Sequence, residues 1–253
     1  PIAGSGANLY AFISDTHLSD NSKEKVELFI ATVKLLAKKQ GAIYLLGDIF
    51  DFWAGGDDLK YPQKDVLLAL KNAVEAGAKI FLITGNRDFL ISNEFSIQTG
   101  VQILPELCPL TINDNKYLLT HGDLLCTKDV SYQIFRKIVR NFFVKWLFLS
   151  LPLKLRSTLV SQTKKRTRKS VNKKEMDIMD VDRQAVLDLM SEYKATCLIH
   201  GHTHHAGIHN FSDRNQKLTR IVLGDWDGCC SILIIEENRE QLITAHTLIN
   251  SSS

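Results

Sequence analysis

Ile43-Tyr44-Leu45-Leu46-Gly47-Asp48-Ile49-Phe50-Asp51 is the stretch that decides the fold class. A short, partly β-branched apolar run stops at a glycine and hands over to carboxylates. This is the pattern of a strand buried on both faces, with a polar loop at its carboxyl end. The pattern recurs four times. Leu9–Ile13 leads to Ser14-Asp15-Thr16-His17, Ile80–Ile83 to Gly85-Asn86-Arg87-Asp88, Tyr117–Leu119 to His121-Gly122-Asp123, and Cys197–Ile199 to His200-Gly201-His202-Thr203-His204. In layered α/β folds that edge is where ligand sites are built, because loops converge there while the strands hold them rigidly. One Asp or His at a strand end is usually a turn former. Five such clusters in one chain point instead to a shared site.

The donor types define what the site would take. Imidazoles, carboxylates and a side-chain amide oxygen, with no thiolate in any cluster, suit Mn, Fe, Zn or Mg rather than a closed structural zinc site. The donors are too many for one ion. Two ions about 3.5–4 Å apart, sharing a carboxylate, can clamp the attacking and leaving oxygens of a displacement at phosphorus. Asp48, the carboxylate nearest the turn after its strand, is the natural bridge. His202 and His204, one residue apart, are expected to point the same way from an extended segment and to serve neighbouring ions. His200 is expected just behind the ligands, with His205 and His209 on the surface.

Around these clusters the periodicity predicts helices over Lys23–Lys39 and Tyr61–Ala76, the second stopped by Gly77. It predicts late strands over Thr219–Leu223, Cys230–Ile235 and Gln241–Leu248, with a hairpin turn at Glu236–Arg239. With 253 residues, 45 % hydrophobic and 23 % charged, the chain can bury one substantial core plus an insertion. No segment reaches the roughly 18–20 continuous apolar residues of a membrane-spanning helix. Pro1–Asn8 has neither the charged start nor the apolar stretch of a signal peptide. Five cysteines without metal or disulfide spacing fit a reducing compartment.

The net charge of +3 conceals an asymmetry. Val130–Lys174 holds 13 Lys or Arg and no Asp or Glu, leaving 18 basic against 28 acidic residues elsewhere. Apolar residues recur through this block at helical spacing, at Ile134, Phe135, Ile138, Val139, Phe142, Phe143, Trp146 and Leu147. Such a stripe usually faces a core, and it can also lie in a membrane interface with the basic face toward anions. Pro152 would divide the block into helical pieces. Its position before the last cluster favours an insertion arching over the metals. The expected architecture is α/β, with helices flanking two packed mixed sheets. The core is expected at 8–129 and 176–250, and a helical cap at 130–175.

Asp15-Thr16-His17, Gly47-Asp48-Ile49-Phe50-Asp51, Gly85-Asn86-Arg87-Asp88, His121 and Gly201-His202-Thr203-His204 resemble the motifs of the calcineurin-like metallophosphoesterases, which implies their four-layer αββα sandwich. Arg87 stands where many relatives carry histidine; its planar fork can hold phosphate oxygens in two places but cannot act as a general acid. With the surroundings of Trp53 and Ile178–Val181, Arg87 brings the resemblance closer to the UDP-2,3-diacylglucosamine pyrophosphohydrolases of lipid A synthesis, from about Tyr10 to about Trp226.

That resemblance implies two Mn²⁺, one held by Asp15, His17, Asp48 and His204, the other by Asp48, Asn86, His121 and His202. It implies hydroxide attack on the α-phosphorus, giving UMP and 2,3-diacylglucosamine 1-phosphate. Arg87, Asp48, Asn86 and His121 would be catalytic, and Asn86, Arg87, Asp129, Thr167, Lys174 and His202 would contact substrate. Val171 replaces a family asparagine. Trp53, Tyr132 and Phe135 are candidate lipid or sugar neighbours. Expected partners are the nucleotide-linked lipid and an anionic membrane surface, with no nucleic acid, for a cytoplasmic monomer peripheral on the inner face of a bacterial inner membrane. Another dinuclear phosphoesterase such as a nuclease, or a binding scaffold, is the alternative.

Overall fold

The computed structural model describes residues 2–3, 9–160, 181–213, 216–237 and 239–251. Among them, two six-stranded mixed sheets pack face to face. One sheet runs β1 (Ile2–Ala3), β6 (Cys108–Ile112), β7 (Asn115–Leu119), β8 (Cys197–His200), β10 (Gln216–Val222), β9 (Gly207–Asp213). The other runs β12 (Arg239–Thr244), β11 (Ser231–Glu236), β2 (Leu9–Ile13), β3 (Ala42–Leu45), β4 (Lys79–Leu82), β5 (Gln102–Ile103).

Side-chain alternation explains why the strand runs read as continuously apolar. Tyr10 and Phe12 of β2, Tyr44 of β3 and Phe81 of β4 point between the sheets, toward Leu110, Tyr117, Leu119, Ile199 and Ile221. Their neighbours Leu9, Ala11, Ile13, Ile43, Leu45, Ile80 and Leu82 point outward and are covered by helices. Both faces are buried, so no polar position interrupts the run. Phe12, Tyr44 and Phe81 are in register across three parallel strands and stack at 5.0 and 4.8 Å between centroids.

Helix α1 (Lys23–Lys38) presents Val26, Phe29, Val33 and Leu36 to that outer face, and α2 (Gln63–Glu75) presents Val66, Leu67 and Leu70. Gly77 follows α2 at φ +97°, as the predicted stop requires. The short α3 (Asn93–Thr99) adds Phe95. On the far side, Val186 and Met190 of α6 (Arg183–Glu192) cover Leu118, Leu198 and Leu218. This gives the four-layer αββα arrangement.

Two readings of the C-terminal part need correction. The predicted strand over Gln241–Leu248 ends at Thr244, whose hydroxyl accepts from Thr247 N and caps a helix, α7 (Ala245–Asn250). Local apolar content did not separate the two, but Ala245 and Leu248 fall on one helical face and are buried under α1. Strand β9, which carries His209, was not predicted; it is a largely exposed edge with little apolar alternation.

The described part of the basic block, residues 130–160, is largely helical and is inverted. Helices α4 (Val130–Val139) and α5 (Phe142–Leu149) contain no buried residue, and residues 153–160 form a further helical stretch after Pro152. Along α4 and its C-terminal cap, Tyr132, Arg136 and Arg140 recur every four residues and face inward, while Ile134, Phe135 and Ile138 are exposed. The expected outward basic surface is therefore corrected at four positions. Arg136 and Arg140 pair with Glu106 and Asp123, Lys145 donates to Phe89 O, and buried Arg156 donates to Ala54 O and Leu151 O and pairs with Asp57. These cations satisfy backbone carbonyls and a buried carboxylate that apolar side chains would leave unpaired. Thr167, Val171, Lys174 and Ile178–Asp180 lie outside the described residues.

Phe12→Ala would remove one ring of the three-ring stack from a fully buried position. It should cost about 3–5 kcal/mol of stability, read as a lower urea midpoint at unchanged slope.

Candidate metal centre

Parallel register brings the clusters to one edge. Ile13 pairs with Leu45 and Leu45 with Leu82, so Asp15, Asp48 and Asn86 leave one sheet side by side. Leu119 pairs with Ile199, which does the same for His121 and His202 in the other sheet. The loops are then tied to one another: Asp15 N donates to Gly47 O (3.1 Å), His17 N to Asp48 O (3.0 Å) and Gly201 N to His121 O (2.9 Å).

All seven residues expected to bind metal meet there, in two groups joined by Asp48. Asp15 Oδ1 lies 3.3 Å from His204 Nε2 and 3.7 Å from His17 Nε2, and His17 Nε2 lies 3.4 Å from Asp48 Oδ2. On the other side, Asp48 Oδ1 is 3.7 Å from His121 Nε2, and Asn86 Oδ1 is 2.9 Å from both His121 Nε2 and His202 Nδ1. Asp15, His17, Asp48 and His121 are buried.

The backbone accepts strain to achieve this. Asp15, His17, Asp48, His202 and His204 all have left-handed φ, at 52°, 44°, 54°, 68° and 60°. Non-glycine residues adopt that region uncommonly, and such outliers gather at functional sites. His202 and His204 are thus not on an extended segment, which corrects that premise. They still diverge to the two groups, because each follows its own tight bend. Glycine is needed where loops touch: a Cβ on Gly85 would meet the Asp48 carboxylate, and one on Gly201 would meet Asp15 and the Ser14 hydroxyl.

The polar groups fit divalent cations on direct grounds. His121 Nδ1 lies 2.8 Å from Leu46 O, and a carbonyl only accepts, so Nδ1 carries a proton and Nε2 is left facing the oxygens of Asn86 and Asp48, where a second proton or a metal cation must lie between them. Acceptors facing one another need a positive charge between them. Asp15 Oδ1 and His17 Nε2 are also buried without a hydrogen-bond partner. Burial would lower the His121 pKa, but the Asp48 and Asp15 carboxylates overcome it and push it up to about 9. Burial would raise Asp15 and Asp48; the neighbouring imidazoles overcome it and hold both below the carboxylate range. The same negative field that draws in a proton would bind a metal cation.

Further residues complete the site. Asp88, the last residue of Gly85-Asn86-Arg87-Asp88, is buried and accepts from Ile49 N (2.8 Å) and Gly85 N (2.6 Å), tying two loops together. Burial and the Asp48 charge raise it to about 6. Arg87 is half exposed, with Nη1 on Asp51 Oδ1 at 2.7 Å and Nε 3.5 Å from Asp48 Oδ2. His200 is buried behind the ligands, as expected, and burial lowers it to about 3. His205 and His209 are exposed.

Asp123 is a residue whose role the sequence did not reveal. Its buried Oδ2 accepts from Tyr132 Oη (2.9 Å) and Arg136 Nε (2.8 Å), while Arg140 donates to Gly85 O (3.0 Å). The Tyr132 ring stacks on His202, 6.1 Å between centroids. Helix α4 thus touches three of the site loops. Asp129 caps α4, accepting from Tyr132 N and the Ser131 hydroxyl. Trp53 is buried against Phe50 and Phe95, in the core and not at the site, which corrects its reading as a substrate neighbour. Phe135 is 47 % exposed.

Asp225 and Asp227 were also missed. Asp225 Oδ2 lies 3.1 Å from His204 Nδ1, and Asp227 Oδ2 lies 3.9 Å from His17 Nδ1. The available signal was Leu223-Gly224-Asp225, which repeats the strand-glycine-aspartate pattern of Leu46-Gly47-Asp48.

Relatives share this plan over nearly the whole chain. Proteins described as UDP-2,3-diacylglucosamine hydrolases match from Tolumonas auensis (38 % identical, covering 92 % of this chain and 95 % of the relative) and Vibrio parahaemolyticus (38 %, 91 % and 96 %). One of the same description from Haemophilus influenzae is 40 % identical over 90 % of this chain and 95 % of its own. The sequence pattern of calcineurin-like phosphoesterases matches residues 9–206, from β2 through the loop that carries His202 and His204. A match of that extent, over strands that converge on one hydrolytic edge, makes this chain a member of the calcineurin-like phosphoesterase family.

Proposed function

We propose that this hydrolase cleaves the pyrophosphate bond of UDP-2,3-diacylglucosamine, releasing UMP and 2,3-diacylglucosamine 1-phosphate. The observation that carries the reading is the inverted α4. Its polar stripe is bound into the metal site, while its apolar stripe, continued by Phe142, Phe143, Trp146 and Leu147 of α5, stays exposed beside it. A substrate with a phosphate anhydride joined to acyl chains matches that pairing of surfaces, and relatives described as acting on this compound resemble the chain across 90 % or more of its length. A nuclease would need outward cations with interleaved aromatics. Among the described cations of the block, Arg136, Arg140, Lys145 and Arg156 are engaged internally, and Lys137 and Lys154 are exposed and free to meet an anionic lipid surface.

In this reading Asp15, His17, Asp48 and His204 hold one ion and Asp48, Asn86, His121 and His202 the other, with manganese as the physiological metal. When bound, such a pair lowers the pKa of a coordinated water and neutralises charge on phosphoryl oxygens. The chain's own groups prepare that chemistry. Leu46 O fixes the His121 tautomer, so that Nε2 faces the site. Asp51 holds the Arg87 guanidinium beside Asp48, where its fork can take phosphoryl oxygens as charge develops. Asp88 keeps the Asp48 and Asn86 loops in contact. In this reading residues 130–175 serve as a cap whose apolar residues receive the acyl chains, and Asp129, Thr167 and Lys174 are substrate contacts.

No described helix is long and apolar enough to cross a membrane. We read the α4–α5 face as resting on an anionic lipid surface, with the chain a peripheral monomer.

Incubation with UDP-2,3-diacylglucosamine and Mn²⁺ should release UMP, and failure to do so with metal-loaded protein would overturn the reading. Asp48→Ala and His121→Ala should abolish release while leaving a cooperative unfolding transition. Arg87→Ala should lower kcat about 10²-fold, roughly 3 kcal/mol of barrier; full activity would mean that the arginine only packs. Flotation with anionic vesicles should show binding that weakens at high salt, and no binding at any salt would remove the membrane contact.

A further inference from the structure

The loop between β10 and β11, Gly224-Asp225-Trp226-Asp227-Gly228, belongs to none of the five clusters expected at the site, yet it closes over one side of it. Trp226 N donates to Asp15 O (3.1 Å), and the buried indole packs edge-on against Phe29 of α1. Asp225 is fixed within the loop: its Oδ1 accepts from Gly228 N (2.8 Å) and its carbonyl from Cys230 N (3.0 Å). That leaves Oδ2 directed at His204 Nδ1, 3.1 Å away, while His204 Nε2 faces Asp15 Oδ1 at 3.3 Å. Asp227 repeats the arrangement at longer range, 3.9 Å from His17 Nδ1, and is itself held by Lys25 Nζ at 2.7 Å.

We propose that Asp225 is a positioning residue for metal binding: it accepts a hydrogen bond from Nδ1–H of His204 and so keeps Nε2 unprotonated and aimed beside Asp15, with Asp227 giving His17 weaker support of the same kind. The inference rests on the two-ion reading of the site. A ligand imidazole usually donates its second N–H to an outer carboxylate or carbonyl, which sets tautomer and ring orientation. His121 uses Leu46 O for this purpose. Among the described residues no backbone carbonyl pairs with His204 Nδ1, and Asp225 occupies that place. Asp227 is the lesser partner because its side chain is 67 % exposed, so water competes for the same proton.

Asp225→Asn is the informative variant, since it is nearly isosteric. Its amide oxygen can keep the Gly228 hydrogen bond, which turns the NH₂ group toward His204 Nδ1. That donor favours the opposite tautomer, with the proton on Nε2, where it blocks the metal-facing lone pair. Mn²⁺ titration of the metal-free protein, followed by electron paramagnetic resonance of free Mn²⁺, should give two bound ions in the wild type. In Asp225→Asn one of the two should bind about 10- to 100-fold more weakly and the other as before. Asp227→Asn should have a smaller effect. The metal-free thermal transition of Asp225→Asn should match the wild type, and raising Mn²⁺ should restore its UMP release, which a purely structural defect would not allow. If the wild type binds two ions and Asp225→Asn binds both with unchanged affinity, the positioning role is wrong. If the wild type binds fewer than two, the two-ion reading itself fails.

Discussion

Lone pairs crowded together out of water are the constraint on which this structure depends. Two carboxylates, an amide oxygen and four imidazoles meet at one end of the two sheets, several of them sealed from solvent, with oxygen and nitrogen acceptors turned toward one another. Such a set repels itself unless positive charge lies within it. Much of the surrounding structure serves to hold the set together. In-register parallel strands deliver the loops, five ligand-side residues sit at left-handed φ, and glycines allow carboxylates to approach backbone that a Cβ would exclude. The strain at those bends persists because the packed sheets on either side over-determine the loop positions.

The placement of α4 follows from the same electrostatics at one remove. Asp123 is fully buried two residues after His121, and a buried carboxylate needs partners. Tyr132 and Arg136 provide them, and their four-residue spacing continues to Arg140, which reaches Gly85 O. Helix α4 therefore turns its polar face to the protein and leaves Ile134, Phe135 and Ile138 outside. An apolar face left exposed in this way is a surface for an apolar partner. The ring of Tyr132 over His202, on the opposite face, ties the helix to the site.

Much of the molecule was legible beforehand, for identifiable reasons. The central strands and helices α1 and α2 lie where periodicity put them, because burial on both faces of a sheet and on one face of a helix leaves an unmistakable apolar pattern. The seven candidate ligands could be named because each follows an apolar strand, at a turn that contains glycine in four of the five clusters. What was misread carries a weaker local signal. Strand β9 is an exposed edge, and Thr244 ends β12 because its hydroxyl caps a helix. Basic residues of α4 and α5 were assigned to the surface by composition, although long side chains reach inward as readily as outward when carbonyls and carboxylates await them.

The chain by itself determined the family, the donor chemistry of the site and the strands that present it, since these depend on residue type and spacing. Only the tertiary structure decided which outer groups serve the centre. Asp225 and Asp123 reach His204 and the α4 arginines from separate strand ends, through contacts set by sheet order. It also decided that α4 lies inside out, because a helix faces whichever surface satisfies its charges, and the surface that does so here is assembled from residues distant in the chain.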